Sequence, residues 1–149
     1  MKLLSLDYGR RRIGFAVTDE TATIVRGLTT IDRKQSTDIV QEIVTIISDE
    51  KPDRLIVGLP LDHNDNETQM TLEIRAFVDT LKPFIAIPVE FADESFSSVE
   101  AASIMMTRKK KERRQKTTID RVAACLILER YLRDGTVDGT VDGTVDSRL

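Results

Sequence analysis

The sequence is poor in the residues that build covalent staples and imidazole chemistry. It has one cysteine and one histidine. A lone Cys125 excludes an internal disulfide framework, and on the apolar part of a helical segment it reads as packing. His63 stands alone in the polar stretch 62–67 and reads as solvated rather than as a general base. No apolar run reaches the length that spans a bilayer. Met1-Lys2 followed by a strand-like run lacks the layout of a secretory signal. A second Gly-rich phosphate loop is missing, and 149 residues are too few for a two-domain sugar-kinase or actin-like ATPase. What remains is the expectation of one cytoplasmic domain with room for a real core.

Charge of one sign is also missing from the body of the chain. The formal net charge is −3. Residues 134–149 hold four aspartates and one arginine and so carry all of it. The remaining 133 residues are balanced, and their bases are clustered. The same terminal stretch contains Gly-Thr-Val-Asp three times, at 135–138, 139–142 and 143–146. So short a period offers too little apolar surface to offset the entropy of ordering. The expected division is a domain over 1–133 and a disordered tail over 134–149. A calcium-binding acidic repeat is disfavoured, because the glycine pattern of repeat loops is absent.

The stretch that organises the chain is its start. Leu3, Leu4 and Leu6 form a short apolar run ended by Asp7, and Tyr8-Gly9 read as a turn. Ile13, Phe15 and Val17 then alternate with small or polar residues, the period-2 pattern of a half-buried strand. An unpaired carboxylate at the end of a core strand costs several kcal/mol. Asp7 therefore needs either turn N–H donors from Gly9 to Arg11 or a cation.

A third strand is expected over Ala22–Ile31, interrupted by Gly27. A helix capped by Ser36 or Thr37 should run to about Glu50. Arg54–Pro60 reads as a strand covered on both faces. A second helix is expected over Thr68–Leu81, a strand over Ile85–Ala92, a helix over Val99–Met106 and a last helix over Thr117–Arg133. A meander followed by strand–helix–strand crossovers gives an α/β fold with a mixed sheet.

Acids gather where such sheets place their sites. The first, fourth and fifth strands should run parallel, so their carboxyl ends share one rim. Asp7 ends the first and Asp93-Glu94 end the fifth. Asp120 lies early in the last helix, where Ala123 and Ala124 would let that helix approach the sheet closely. Converging carboxylates raise one another's pKa, and a hard divalent cation, Mg²⁺ or Mn²⁺, resolves the repulsion. Two such ions roughly 4 Å apart support phosphodiester cleavage. Blander readings stand beside this one. Thr117 with Asp120 resembles a capping box, and Asp93 or Glu94 could be turn acids before a Ser97 or Ser98 cap. Two basic groups flank the acids: Arg10, Arg11 and Arg12 after Asp7, and Arg108, Lys109, Lys110, Lys111, Arg113, Arg114 and Lys116 before Asp120. They read either as solvated faces or as phosphate contacts.

Taken together, LDYGRRRIGFAVTD, Val57-Gly58-Leu59-Pro60-Leu61, Asp93-Glu94, and Ile119-Asp120 with Ala123-Ala124 and Ile127-Leu128 resemble the YqgF family, also called RuvX or the Holliday-junction resolvase-like family. The match covers roughly residues 1–133. The resemblance implies a ribonuclease H-like fold with a five-stranded sheet in the order 3-2-1-4-5 and flanking helices. It implies a nuclease of ribosome biogenesis that processes the 5′ end of pre-16S ribosomal RNA. It also implies that Asp7, Glu94 and Asp120 are the catalytic, metal-binding acids, with Asp93 in reserve for Glu94. The sequence departs from the family where Ser95-Phe96-Ser97-Ser98 replace the usual arginine and Leu-Thr/Ser-Thr segment. The loop after Leu61 also lacks the usual glycines. Two rival readings are a resolvase of four-way DNA and a resolvase-like protein that holds RNA without cutting it. The expected partner is structured RNA or branched DNA, with no membrane, for a monomer or homodimer.

Overall fold

Strand β1 (Leu3–Asp7) is the centre of the sheet. The structure, a computed structural model, describes residues 1–62, 64, 66–93 and 116–135, the first six residues of the last segment by backbone alone. The turn out of β1 needs Gly9, because a Cβ there would lie 2.3 Å from the Arg12 carbonyl oxygen. Strands β2 (Arg12–Thr18) and β3 (Val25–Asp32) complete an antiparallel meander.

β3 begins at Val25 rather than at Ala22. Asp19 captures the residues before it: its carboxylate accepts the amides of Thr23 and Ile24 at 2.8 and 3.1 Å and the Thr21 hydroxyl at 2.8 Å. Ala22 sits in the left-handed region at φ 57°. An aspartate that gathers local amides competes with the strand ladder and here wins. Those donors, the Thr23 amide first, hold the Asp19 carboxyl below its ordinary pKa. Further along, the register steps from Phe15↔Thr29 to Ala16↔Gly27, so Leu28 is a bulged residue on an edge strand.

Helix α1 (Ile39–Glu50) is capped by Asp38, not by Ser36 or Thr37: the Asp38 carboxylate accepts the Gln41 amide at 3.0 Å. Lys51, left-handed at φ 53°, closes it with its amide on the Ile47 carbonyl. Strand β4 (Arg54–Leu59) follows, then helix α2 (Gln69–Leu81), whose Thr68 cap forms a reciprocal capping box with Thr71. A 3₁₀ turn at Lys82–Phe84 takes up Ile85, whose amide donates to Lys82. Strand β5 (Val89–Asp93) therefore starts four residues later than the apolar run Ile85–Ala92 suggests. Pro88 has no N–H, but its carbonyl accepts the Leu55 amide at 3.0 Å as the ladder opens. Helix α3 (Lys116–Asp134) ends at Gly135, at φ 81°, whose amide donates to the Tyr131 carbonyl. Thr117 and Asp120, which the sequence pairs as a capping box, both lie within α3, where they are described by backbone alone. The expected helix Val99–Met106 lies outside the described residues, as does His63.

The sheet order is β3-β2-β1-β4-β5, with β1, β4 and β5 parallel. Strand alternation divides the core into two layers. Leu4, Leu6, Val57 and Val89 face α1 and α2, meeting Ile43, Ile74 and Val78. Leu3, Ala16, Ile56 and Ala92 face α3, meeting Ala124, Ile127 and Leu128.

Candidate functional site

Asp7 is the last residue of β1 and shares a strand face with Leu3 and Ser5, the face turned to α3. Its neighbours on the adjacent strands are small. On one side its partner in β2 is Gly14. On the other, one step beyond the Leu6↔Val57 pair, β4 presents Gly58, which is paired in turn with Ala92 of β5. One cross-sheet row thus reads Gly14, Asp7, Gly58, Ala92. The half-buried carboxylate stands on that row with nothing larger than a methyl group beside it from the strands.

Small residues also bring α3 down onto this face. Ala124 is fully buried, and the buried Ser5 hydroxyl donates to its carbonyl at 2.7 Å. Seven residues on, the Tyr131 hydroxyl donates to Glu90 at 2.9 Å and accepts from Arg54 at 3.2 Å, while Arg54 also pairs with Glu90. Glu90 is fully buried, so these two partners are what make its charge tolerable. Burial would lower the Arg54 pKa, but the Tyr131 hydrogen bond and the Glu90 charge outweigh it and raise it. Burial first, then the Glu90 hydrogen bond and charge, pushes the Tyr131 phenol up. Arg54 is level with Leu3, and Ser5 with Ile56. Going back from Tyr131 to Ala124, α3 therefore climbs from the amino end of the strands towards the rim where β1 ends. Asp120 lies one helical turn, about 6 Å of rise, before Ala124.

Asp93 ends β5 and pairs with Arg130 of α3 at 3.8 Å. Glu94 lies outside the described residues, as do Arg108, Lys109, Lys110, Lys111, Arg113 and Arg114; Lys116 opens α3 and is described by its backbone. Of the arginines after Asp7, Arg10 forks onto Glu73 of α2 and Arg11 pairs with Asp32 at 3.2 Å. Sequence reasoning missed Glu73, Arg130 and Arg33. Arg33 donates to the Gly9 carbonyl at 3.0 Å and lies over the Tyr8 ring at 5.1 Å. Cys125 is packed beside α3's buried face, and burial, then the Glu129 charge, pushes its thiol to about 11. That is the behaviour of a core residue, not of a nucleophile. Among the described residues no helix is long and apolar enough to cross a membrane.

The sheet order, the two helical layers and the acid at the end of the central strand define a ribonuclease H-like domain of the resolvase type. The solved structures agree. Thermus thermophilus RuvC in complex with a Holliday junction substrate aligns with TM-score 0.55 at 19% identity, covering 91% of this chain and 98% of that one. Fowlpox virus resolvase with Holliday junction DNA aligns with TM-score 0.58 at 13% identity, covering 89% and 97%. The chain belongs to the RuvX family, described as Holliday junction resolvase, whose model matches residues 1–134. Curated relatives named "Putative pre-16S rRNA nuclease" include one from Phocaeicola vulgatus, 40% identical over 134 residues, covering 88% of this chain and 94% of the relative. Another, from Roseiflexus sp. (strain RS-1), is 37% identical over 131 residues, covering 88% and 93%.

Proposed function

We propose that the chain is a metal-dependent endonuclease that matures the 5′ end of pre-16S ribosomal RNA. The observation that carries this reading is the row Gly14, Asp7, Gly58, Ala92 beneath a helix that climbs towards the same rim. A carboxylate at a strand end flanked by glycines of the neighbouring strands suits a hard cation and a phosphate oxygen. The relatives' names supply the substrate. In this reading Asp7, Glu94 and Asp120 hold Mg²⁺ or Mn²⁺. Such ions, when bound, activate a water and neutralise charge on the leaving oxygen.

The chain's own residues do the rest. β1 fixes Asp7 at the rim. The Ser5–Ala124 bond and the Tyr131–Glu90–Arg54 cluster fix the height of α3, and with it Asp120. Glu90 and Ala92 lie on the sheet face turned to α3, and Asp93 is engaged by Arg130, which supports reading Glu94 rather than Asp93 as the ligand. The arginines at 10–12 and the basic residues 108–116 supply phosphate contacts. The domain of this reading spans 1–133, and the repeat tail over 134–149 is dispensable to it.

A second reading, cleavage of four-way DNA, draws on the family's description and on the resolvase neighbours. A cleavage assay on precursor 16S RNA and on a four-way junction, with Mg²⁺, Mn²⁺ or chelator, decides between them. RNA cut only with metal supports the first reading, junction cut alone supports the second, and binding without cutting defeats both.

A further inference from the structure

Arg10 follows Asp7 by three residues, in the turn between β1 and β2, and its guanidinium is already occupied. Its Nε lies 3.2 and 3.3 Å from the two Glu73 oxygens and its Nη2 lies 3.1 Å from Oε1. The Nε–Nη2 edge is the fork that arginine uses for a carboxylate or a phosphate, one at a time. The Tyr8 hydroxyl donates to the other Glu73 oxygen at 2.7 Å. Tyr8 in turn packs on Phe77 of α2, ring centroids 5.1 Å apart, beneath the Arg33 guanidinium. Glu73 thus stands where a phosphate would stand on Arg10.

The geometry points to Glu73 as a built-in competitor for the substrate phosphate at Arg10, a carboxylate that the nucleic-acid backbone must displace in order to engage the rim. This rests on the nuclease reading above and adds a threshold to it. The Arg10 side chain is 64% exposed and Glu73 30% exposed, so the pair is solvent-screened and cheap to open. The released carboxylate is not stranded. It keeps the Tyr8 hydroxyl, and Arg33 is close enough to act on its charge. A phosphate presented loosely competes poorly with a tethered carboxylate, whereas one held by contacts elsewhere on the protein displaces it. Glu73 therefore discriminates against nucleic acid that touches Arg10 alone.

The test uses the full chain carrying Asp7→Asn, which the nuclease reading expects to bind without cutting. Binding of a precursor 16S RNA fragment and of a four-way junction is titrated across a salt series. Glu73→Gln is expected to tighten binding by roughly three- to tenfold and to steepen the slope of log affinity against log salt by about one phosphate contact. Arg10→Ala together with Glu73→Gln should lose that gain. Glu73→Ala gives the same answer should the glutamine variant melt lower. Unchanged or weaker binding in a folded Glu73→Gln protein overturns the inference. So does a gain that survives Arg10→Ala, which would be general charge removal. If the Asp7→Asn parent binds neither nucleic acid, the nuclease reading falls and this inference with it. A parent that binds but ignores Glu73 sinks the inference alone.

Discussion

Asp7 stands between glycines of the two neighbouring strands, and asparagine keeps its shape while removing its charge. Asp7→Asn is expected to fold with an unchanged melting temperature in chelator and to lose cleavage of precursor 16S RNA. Mg²⁺ bound only to the native state should raise the melting temperature of the parent, and the rise should vanish in Asp7→Asn. Calorimetry with and without Mg²⁺ reads both, and an equal rise in the two proteins places the ion elsewhere. The paired acids at the end of β5 separate by role. Asp93→Asn loses the Arg130 ion pair, worth about 1 kcal/mol, and should melt lower yet still cut. Glu94→Gln should keep its melting temperature and lose cleavage; the opposite pattern assigns the ligand to Asp93. Asp7 was legible in the sequence because a carboxylate ending an apolar strand is a local contradiction. Glu73 was not legible. It lies 63 residues from Arg10, and nothing local to either residue reveals the pairing. Arg130 was hidden for the same reason, reading as one more base on a helix surface.

At the scale of elements, the critical joint is α3 against the sheet. Removing Arg54 leaves Glu90 buried and charged with one partner fewer, so Arg54→Ala should cost about 3–5 kcal/mol. Tyr131→Phe removes one hydroxyl and should cost about 1–3 kcal/mol. Chemical denaturation orders the two, and an equal or reversed order refutes the account of the cluster. The folded Tyr131 phenol has a raised pKa, so its contribution is complete below the unfolded value near 10 and is lost as pH rises through the folded one. The alkaline loss of stability should therefore be shallower in Tyr131→Phe. Every described α-helix and strand was legible in kind, the helices and β2 from periodicity and β1 and β4 from short apolar runs ended by turn residues. The boundaries that moved were decided by polar details. Asp19 took the amides that would have lengthened β3, Asp38 outcompeted Ser36 and Thr37 at the α1 cap, and the 3₁₀ turn around Pro83 delayed β5.

For the molecule as a whole, charge and length make two further predictions. Neutralising Arg108, Lys109, Lys110 and Lys111 should weaken RNA binding and flatten its salt dependence, with the Mg²⁺-induced rise in melting temperature unchanged. An unflattened slope in a filter-binding titration marks the run as a solvated loop. A chain ending at Gly135 retains the cap on α3 and should melt and cleave as the full chain does; a much lower melting temperature shows that residues 136–149 pack on the domain. The sheet order carries a consequence for synthesis. Its central strand is made first, yet the helix that covers the same face is made last, 109 residues after Asp7 if counted to Lys116. A growing polypeptide holds the first acid of the proposed site long before it holds Asp120. In the proposed reading the nascent enzyme therefore stays inert until α3 has been made and has docked on the sheet.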